Sequence, residues 1–324
     1  MRELLLLRHG KTKKSAPQSK WERPLKNSGK RNAQRLGAWL QEQGIAPDCV
    51  LCSPAAAARE TAEKCIKAMG QSVAAISLEP RLETRDSAAL LEVVRQYAPG
   101  SQRLMLVGHN PALERLIEQL LPADQRPCQQ SMRPGTLVRM TLEQSQTSSP
   151  NPRAELLARV EPGMLPKTFA VPMQGRIEQR ERPAYYYRQS AVIPYRFCAG
   201  QLQLLLITAS SGRKWGIPKG IQEPGLSAQD SAAREALEEA GAMGRVYPQR
   251  VGEYSHFKWG ANCQVQVYAM AVDQLQSDTD WEEAHRCRRW CTPEEAIGMV
   301  SNPRLAGLLS GFEHFLKSNA LWHD

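Results

Sequence analysis

Along its first half the chain alternates short apolar runs with longer stretches whose apolar residues recur every three or four positions. "LLLL" at 4–7 and "RLMLV" at 103–107 are continuous apolar runs of strand length, and "CVLC" at 49–52 reads the same way. Helical periodicity covers 28–43, 54–69, 86–97 and 111–121. Two late strands are expected at 136–142 and 154–160, joined by "EQSQTSSPNPR" (143–153), which has the composition of a loop. Strands alternating with helices predict an α/β domain with a parallel sheet covered on both faces. A second alternation begins at 189, with strands at "SAVIPY" (190–195), "LQLLLIT" (202–208) and "VQVYAMAV" (265–272) and a helix over about 227–240. "TPEEAIGMV" opens a further helix, with Thr292 as N-cap and Pro293 in its first turn. "EPGMLPKTFAVPMQGRIEQRERP" (161–183), rich in proline and charge, reads as an extended, semi-rigid connection. The 324 residues are long for one core. The division expected is a first domain over 1–166, a linker over 167–188 and a second domain over 189–324.

Composition narrows the setting. Hydrophobic residues make up 42% of the chain, yet no apolar run approaches the roughly 18 residues of a membrane span, so no membrane partner is expected. The eight cysteines are scattered, which fits a reducing cytoplasm better than a disulfide framework. Cys49 and Cys52 lie in a strand setting, where positions three apart face opposite ways; they read as core residues, as do His285, Cys287 and Cys291, and not as zinc ligands. The net charge of +9 is uneven: +8 over 1–166, +3 over 167–188 and −2 over 189–324. The basic half has no aromatic-interleaved patch and no nucleic-acid motif. Its positive potential suits small polyanionic phosphate substrates or a phosphorylated protein, and not a nucleic acid polymer.

Two segments carry chemistry. In "LLLLRHGKT" and "LMLVGHNP", His9 and His109 each lie just past the carboxyl end of an apolar run, on the rim where open α/β sheets bind ligands. If those strands are neighbours, the imidazoles meet in one pocket. A neutral imidazole can attack phosphorus, while an arginine and a second imidazole hold the phosphoryl oxygens. "LRHGKT", "RPL" at 23–25, "SP" at 53–54 with Thr61, and "GHNP" at 108–111 resemble the histidine phosphatase superfamily, in its short branch acting on phosphohistidine. The resemblance implies His9 as nucleophile, Arg8 and His109 as phosphoryl ligands, Arg23 as a further phosphate-binding residue, a phosphohistidine protein as partner, and no cofactor in this domain. One position departs. Where that family places a pocket arginine three residues beyond the "SP" proline, this chain has Ala57, and Arg59 lies about 200° further round a helix. No carboxylate stands out as general acid. The departure leaves a second reading open, in which the first domain senses a phosphorylated ligand and regulates the second.

The other segment is "GIQEPGLSAQDSAAREALEEAGA", 220–242. Helical steps of three and four place Glu235, Glu238 and Glu239 on one face, where like charges repel unless a cation sits among them. Oxygen donors in such number suit Mg²⁺ or Mn²⁺. Gly220, Arg234, Glu235, Ala236, Glu238, Glu239 and Gly241 fall in register with the Nudix box, and "KWGIPKG" and "WEEAHRCRRWCTPEEA" (281–296) are similar to the branch hydrolysing diphosphoinositol and dinucleoside polyphosphates. This resemblance implies an α/β/α sandwich, Glu235, Glu238 and Glu239 as metal ligands with the Lys219 carbonyl beside them, and hydrolysis of a pyrophosphate linkage. Leu226 stands where the box has its first glutamate; Glu223 could partly compensate, and Glu282 or Glu283 could act as an outer base.

Overall fold

The computed structural model describes residues 2–13, 20–125, 131–143, 153–173, 175–210, 212–277 and 280–322. They form two compact units, Met1–Gln179 and Arg180–Asp324.

In chain order the first unit contains β1 (Arg2–Arg8), α1 (Asn27–Glu42), β2 (Cys49–Cys52), α2 (Ala56–Ala68), β3 (Ile76–Leu78), α3 (Ser87–Tyr97), β4 (Arg103–Gly108), α4 (Ala112–Leu120), β5 (Leu137–Leu142) and β6 (Ala154–Val160). The sheet runs β3-β2-β4-β1-β5-β6. Its first four strands are parallel, and β5 and β6 are added antiparallel. The sheet is therefore mixed at one side and not parallel throughout: the short segment from Glu143 to Arg153 can join antiparallel neighbours but cannot make a crossover. Most of that segment, 144–152, lies outside the described residues. Leu4 and Leu6 pack with α3 and α4 through Leu90, Val94 and Leu116, while Leu5 and Leu7 pack with α1 and α2 through Leu36, Ala58 and Ile66. A strand covered on both faces has no polar side to alternate with, which is why "LLLL" is continuous. Residues read as connection hold a small hairpin, β7 (Phe169–Met173) and β8 (Arg176–Arg180).

The second unit contains β9 (Arg188–Cys198), β10 (Gln201–Thr208), β11 (Trp215–Gly216), β12 (Lys219–Ile221), α5 (Ala228–Ala240), β13 (Ala242–Lys258), β14 (Ala261–Leu275), β15 (Arg288–Cys291), α6 (Pro293–Met299), α7 (Pro303–Ser310) and α8 (Phe312–Ser318). The strand order is β11-β10-β9-β14-β13, with β12 on β9 and β15 on β10. β9 and β14 are parallel and the other pairs antiparallel. Val192, Leu205 and Met270 face α5; Ile193, Leu204 and Val267 face the other way, packing with Leu309 of α7 and Phe312 and Leu316 of α8. This is a sandwich of helix, sheet and helix. Cys291 is buried, but Cys287 is exposed, which corrects its reading as a core residue. It and the exposed His285 lie in the turns before β15, outside any layer that would cover them. Among the described residues no helix is long and apolar enough to cross a membrane.

Candidate active sites

The first site forms where β1 and β4 end side by side. Their register pairs Arg8 with Gly108, and the His9 N–H donates to the Gly108 carbonyl at 3.1 Å. The two imidazoles that follow are 4.9 Å apart between centroids. A bridge between Thr12 and Leu25, with the Lys26 N–H on the Lys11 carbonyl at 2.7 Å, folds the segment after His9 against the start of α1. Gly29 permits this approach, since a Cβ there would stand 2.6 Å from the Lys11 carbonyl oxygen. The resulting cavity of about 230 Å³ is lined by His9, His109, Trp21, Arg23, Ala57 and Arg85, among others. Trp21 meets the His109 ring edge-on at 5.1 Å between centroids.

The protonation of His9 follows from its neighbours. Nδ1 lies 2.8 Å from the Gly10 carbonyl oxygen, which can only accept, so Nδ1 carries the hydrogen and a neutral ring leaves its lone pair on Nε2. Burial, and secondarily the Arg8 charge, hold the His9 pKa below the ordinary histidine value against the opposing effect of the Gly10 bond. The Gly10 N–H donates to Thr61 Oγ1 at 2.9 Å, and His109 Nε2 lies 2.9 Å from Ser53 Oγ. Arg8 is placed differently. Its guanidinium donates to the Met132 carbonyl and is not among the residues lining the cavity; its Nε is buried with no hydrogen-bond partner, and burial lowers its pKa. The structure thus brings His9, His109 and Arg23 together and sets Arg8 beside them. Arg59 is exposed, and Ala57 faces the cavity. Arg85 was not singled out by sequence; its place just after β3, on the rim that carries the two histidines, is the signal that could have found it.

In the second unit, Ala228, Ala232, Ala236 and Ala240 recur every fourth residue and are all buried against the sheet. The Ser227 hydroxyl caps the first turn by accepting from the Asp230 N–H at 3.0 Å, and Gly241 ends the helix at φ 61°. Small residues let α5 sit close to the sheet, and Glu235 and Glu239 then border the 219–221 strand, with Glu238 next to them on the same face. Glu239 accepts the Lys219 N–H at 2.9 Å. Glu235 occupies the space beneath Gly220, where a Cβ would stand 1.9 Å from its Oε1. Burial, then the charges of Glu239, Glu238 and Glu223, push the Glu235 carboxyl up to about 8. Glu239 is raised by burial too, and partly relieved by the Lys219 N–H and Arg286.

Guanidinium groups hold the other carboxylates. Arg234 Nε pairs with Glu238 at 2.6 Å, and Arg286 pairs with Glu239 at 2.6 Å and also with Glu283. Glu282 is exposed. Among the described residues no three His, Cys, Asp or Glu side chains already converge as a ligand set. Beside the carboxylates lies a cavity of about 300 Å³ whose lining includes Lys214, Trp215, Lys219, Glu239, His256 and Arg286. Burial lowers the Lys219 and His256 pKa values. Arg286 and His256 escaped sequence reading; Arg286 stood in the quoted "EEAHRCRR" run, but only the fold shows it bridging two glutamates.

The comparisons make this chain of two α/β units a hydrolase. The family model for the NUDIX domain matches residues 187–308, and that for the Histidine phosphatase superfamily (branch 1) matches residues 4–86. Nudix hydrolase 4 of Arabidopsis thaliana is 29% identical over 168 residues, covering 46% of this chain and 81% of that protein. Nudix hydrolase 16, mitochondrial, of the same organism is 31% identical over 157 residues, covering 43% of this chain and 86% of that protein. The solved structure of the protein histidine phosphatase SixA complexed with tungstate aligns at 22% identity and a TM-score of 0.41, over 50% of this chain and 97% of that one. The chain belongs to the Nudix family, as a hydrolase in which a histidine phosphatase superfamily domain precedes the Nudix domain.

Proposed function

We propose that the second unit hydrolyses a pyrophosphate linkage in a small polyanion, such as a nucleoside diphosphate joined to another group, a dinucleoside polyphosphate or an inositol polyphosphate. The observation carrying this reading is the α5 carboxylate face beside a cavity rimmed by Lys214, Lys219 and Arg286. The oxygen donors along this face are of the kind that fits Mg²⁺ or Mn²⁺, and Glu235, Glu238, Glu239 and the Lys219 carbonyl are the groups that would hold the ion. A divalent ion there supplies charge neutralisation for phosphate oxygens and acidifies a water. The chain's own part is to bind and orient: Lys214, Lys219 and Arg286 bind the polyphosphate, and the Trp215 ring offers an apolar wall. To hold the ion, Glu238 would give up its pair with Arg234 and Glu239 its pair with Arg286, and Glu223 would support the site in place of the glutamate absent at Leu226.

The first unit is read as a metal-independent phosphatase. The His9 Nε2 lone pair attacks phosphorus; the bond from phosphorus to the leaving atom breaks, an ester oxygen or the imidazole nitrogen of a phosphohistidine, and that atom departs with the electron pair and takes a proton from water. A second water then cleaves the phosphohistidine to phosphate and free imidazole. His109 and Arg23 stabilise the phosphoryl oxygens from the cavity wall, and Arg8 adds only the field of its charge from beside the cavity. The neutral, oriented His9 favours turnover over mere sensing of a phosphorylated ligand. The setting proposed is the cytoplasm, and the substrates are small phosphate esters or a phosphohistidine protein.

The test is phosphate release from nucleotides, dinucleoside polyphosphates and phosphohistidine, with Mg²⁺ or with EDTA. EDTA should silence only the pyrophosphate reaction, and His9→Ala only the other. Glu238→Gln and Glu239→Gln should each lower the Mg²⁺-dependent rate by about a hundredfold or more. Near-normal rates in both at saturating Mg²⁺ refute the metal-site reading.

A further inference from the structure

We infer that Arg85 is a phosphoryl-binding residue of the first unit, closing with Arg23 the side of the pocket where Ala57 brings no charge. Both guanidiniums line the same cavity as His9 and His109. No carboxylate is among the residues lining it, so the described wall offers cationic and neutral groups alone. Among the described residues neither Arg23 nor Arg85 makes a hydrogen bond or ion pair. Arg81, by contrast, is paired with Glu79, and Arg103 and Arg139 with Glu3. Two unpaired like charges facing one small cavity repel each other unless an anion lies between them, and a planar guanidinium binds two phosphoryl oxygens at once.

The segment bearing Arg85 is fastened at both ends. Upstream, Leu82 is buried and its N–H donates to the Glu79 carbonyl at 3.0 Å. Downstream, the Asp86 carboxylate is committed to the start of α3, accepting from the Ala88 N–H at 3.0 Å, and the Asp86 N–H donates to Thr84 Oγ1 at 3.0 Å. The acidic neighbour of Arg85 therefore serves as a helix cap, and the guanidinium stays available to a ligand. Its exposure at the rim admits substrates whose phosphoryl group is attached to something large.

This inference rests on reading the pocket as a phosphoryl-transfer site, and the test separates the two. The full chain, Arg85→Ala, Arg85→Lys, Ala57→Arg/Arg85→Ala and His9→Ala are compared in EDTA, with an aryl phosphate as substrate and inorganic phosphate as competitive inhibitor. Arg85→Ala should raise both KM and the phosphate inhibition constant about tenfold or more. Arg85→Lys should recover part of the loss. The double variant should recover more, because a guanidinium returns to the same pocket from the α2 side. The Mg²⁺-dependent activity of the second unit should be unchanged in Arg85→Ala, which excludes general damage. KM and phosphate inhibition within about twofold of the parent in Arg85→Ala would overturn the role of Arg85 alone. Full aryl phosphatase activity in His9→Ala would instead overturn the phosphoryl-transfer reading. If the parent turns over too slowly to assay, calorimetric titration with inorganic phosphate replaces the rate: weaker binding by Arg85→Ala supports the role, and equal binding or no binding by the parent overturns it.

Discussion

His9 shows how a single ring is made ready by its surroundings. The Gly10 carbonyl sets which nitrogen carries the hydrogen, while burial and the Arg8 charge resist protonation. The sign of the pH effect follows directly. A histidine whose folded pKa lies below the ordinary 6.5 stays neutral, and nucleophilic, as pH falls through that value. The EDTA-resistant phosphatase kcat/KM should therefore hold from pH 7.5 down past about 6.5 and decline only below it. The same shift means the unfolded chain takes up this proton first, so the His9 contribution to stability is lost as pH drops from the unfolded value toward the folded one. A kcat/KM profile with its acid limb above pH 7 would show that the ring is not protected as described.

At the scale of elements, two glycines mark where backbone and helix must touch, and each makes a prediction. In α1 a Cβ on Gly37 would stand 2.0 Å from the Cys65 carbonyl oxygen of α2. Alanine is the better helix former by about 1 kcal/mol. Gly37→Ala should nonetheless destabilise the first unit by about 1–3 kcal/mol, because the helices have to separate; denaturant titration measures it. Gly220→Ala meets Glu235 instead, the flexible end of a side chain, so the fold should survive while the Mg²⁺-dependent rate falls about tenfold or more as the carboxylate is displaced. Such contacts also explain what could be read in advance. The continuous leucines of β1 and the fourfold alanine spacing of α5 are local patterns imposed by burial, and they stand in the sequence. β13 does not: it is an edge strand of 17 residues, rich in polar side chains and interrupted by Pro248, so neither alternation nor apolar length gives it away. His256 and Arg286 were illegible, since each reaches its cavity from a segment distant in sequence from the motif it joins, whereas Arg85 left only the weaker signal of its place on the rim after β3. Arg8 is the reverse case: the motif puts it next to His9, but adjacent strand positions face opposite ways, and its guanidinium turns to Met132.

At the scale of the molecule, the carboxylate face and its neighbouring cavity are contained within Arg180–Asp324. A fragment of residues 180–324 should fold and keep the Mg²⁺-dependent activity. An insoluble or inactive fragment alongside an active full chain would show that the units depend on one another. The topology of the first unit also has a consequence for synthesis. β1 leaves the ribosome before its sheet partners β4 and β5, whose first residues are Arg103 and Leu137. At about 5–20 residues per second, the leucine run waits about 5–20 s before β4 exists to pair with it. Leu4, Leu5, Leu6 and Leu7 are wholly buried once folded, and a nascent chain displays all four to its neighbours on the polysome. Arg2 precedes the run, and Arg8, Lys11 and Lys13 follow it. These charges act as gatekeepers, repelling other nascent chains during the wait and flanking the run where a holding chaperone would dock.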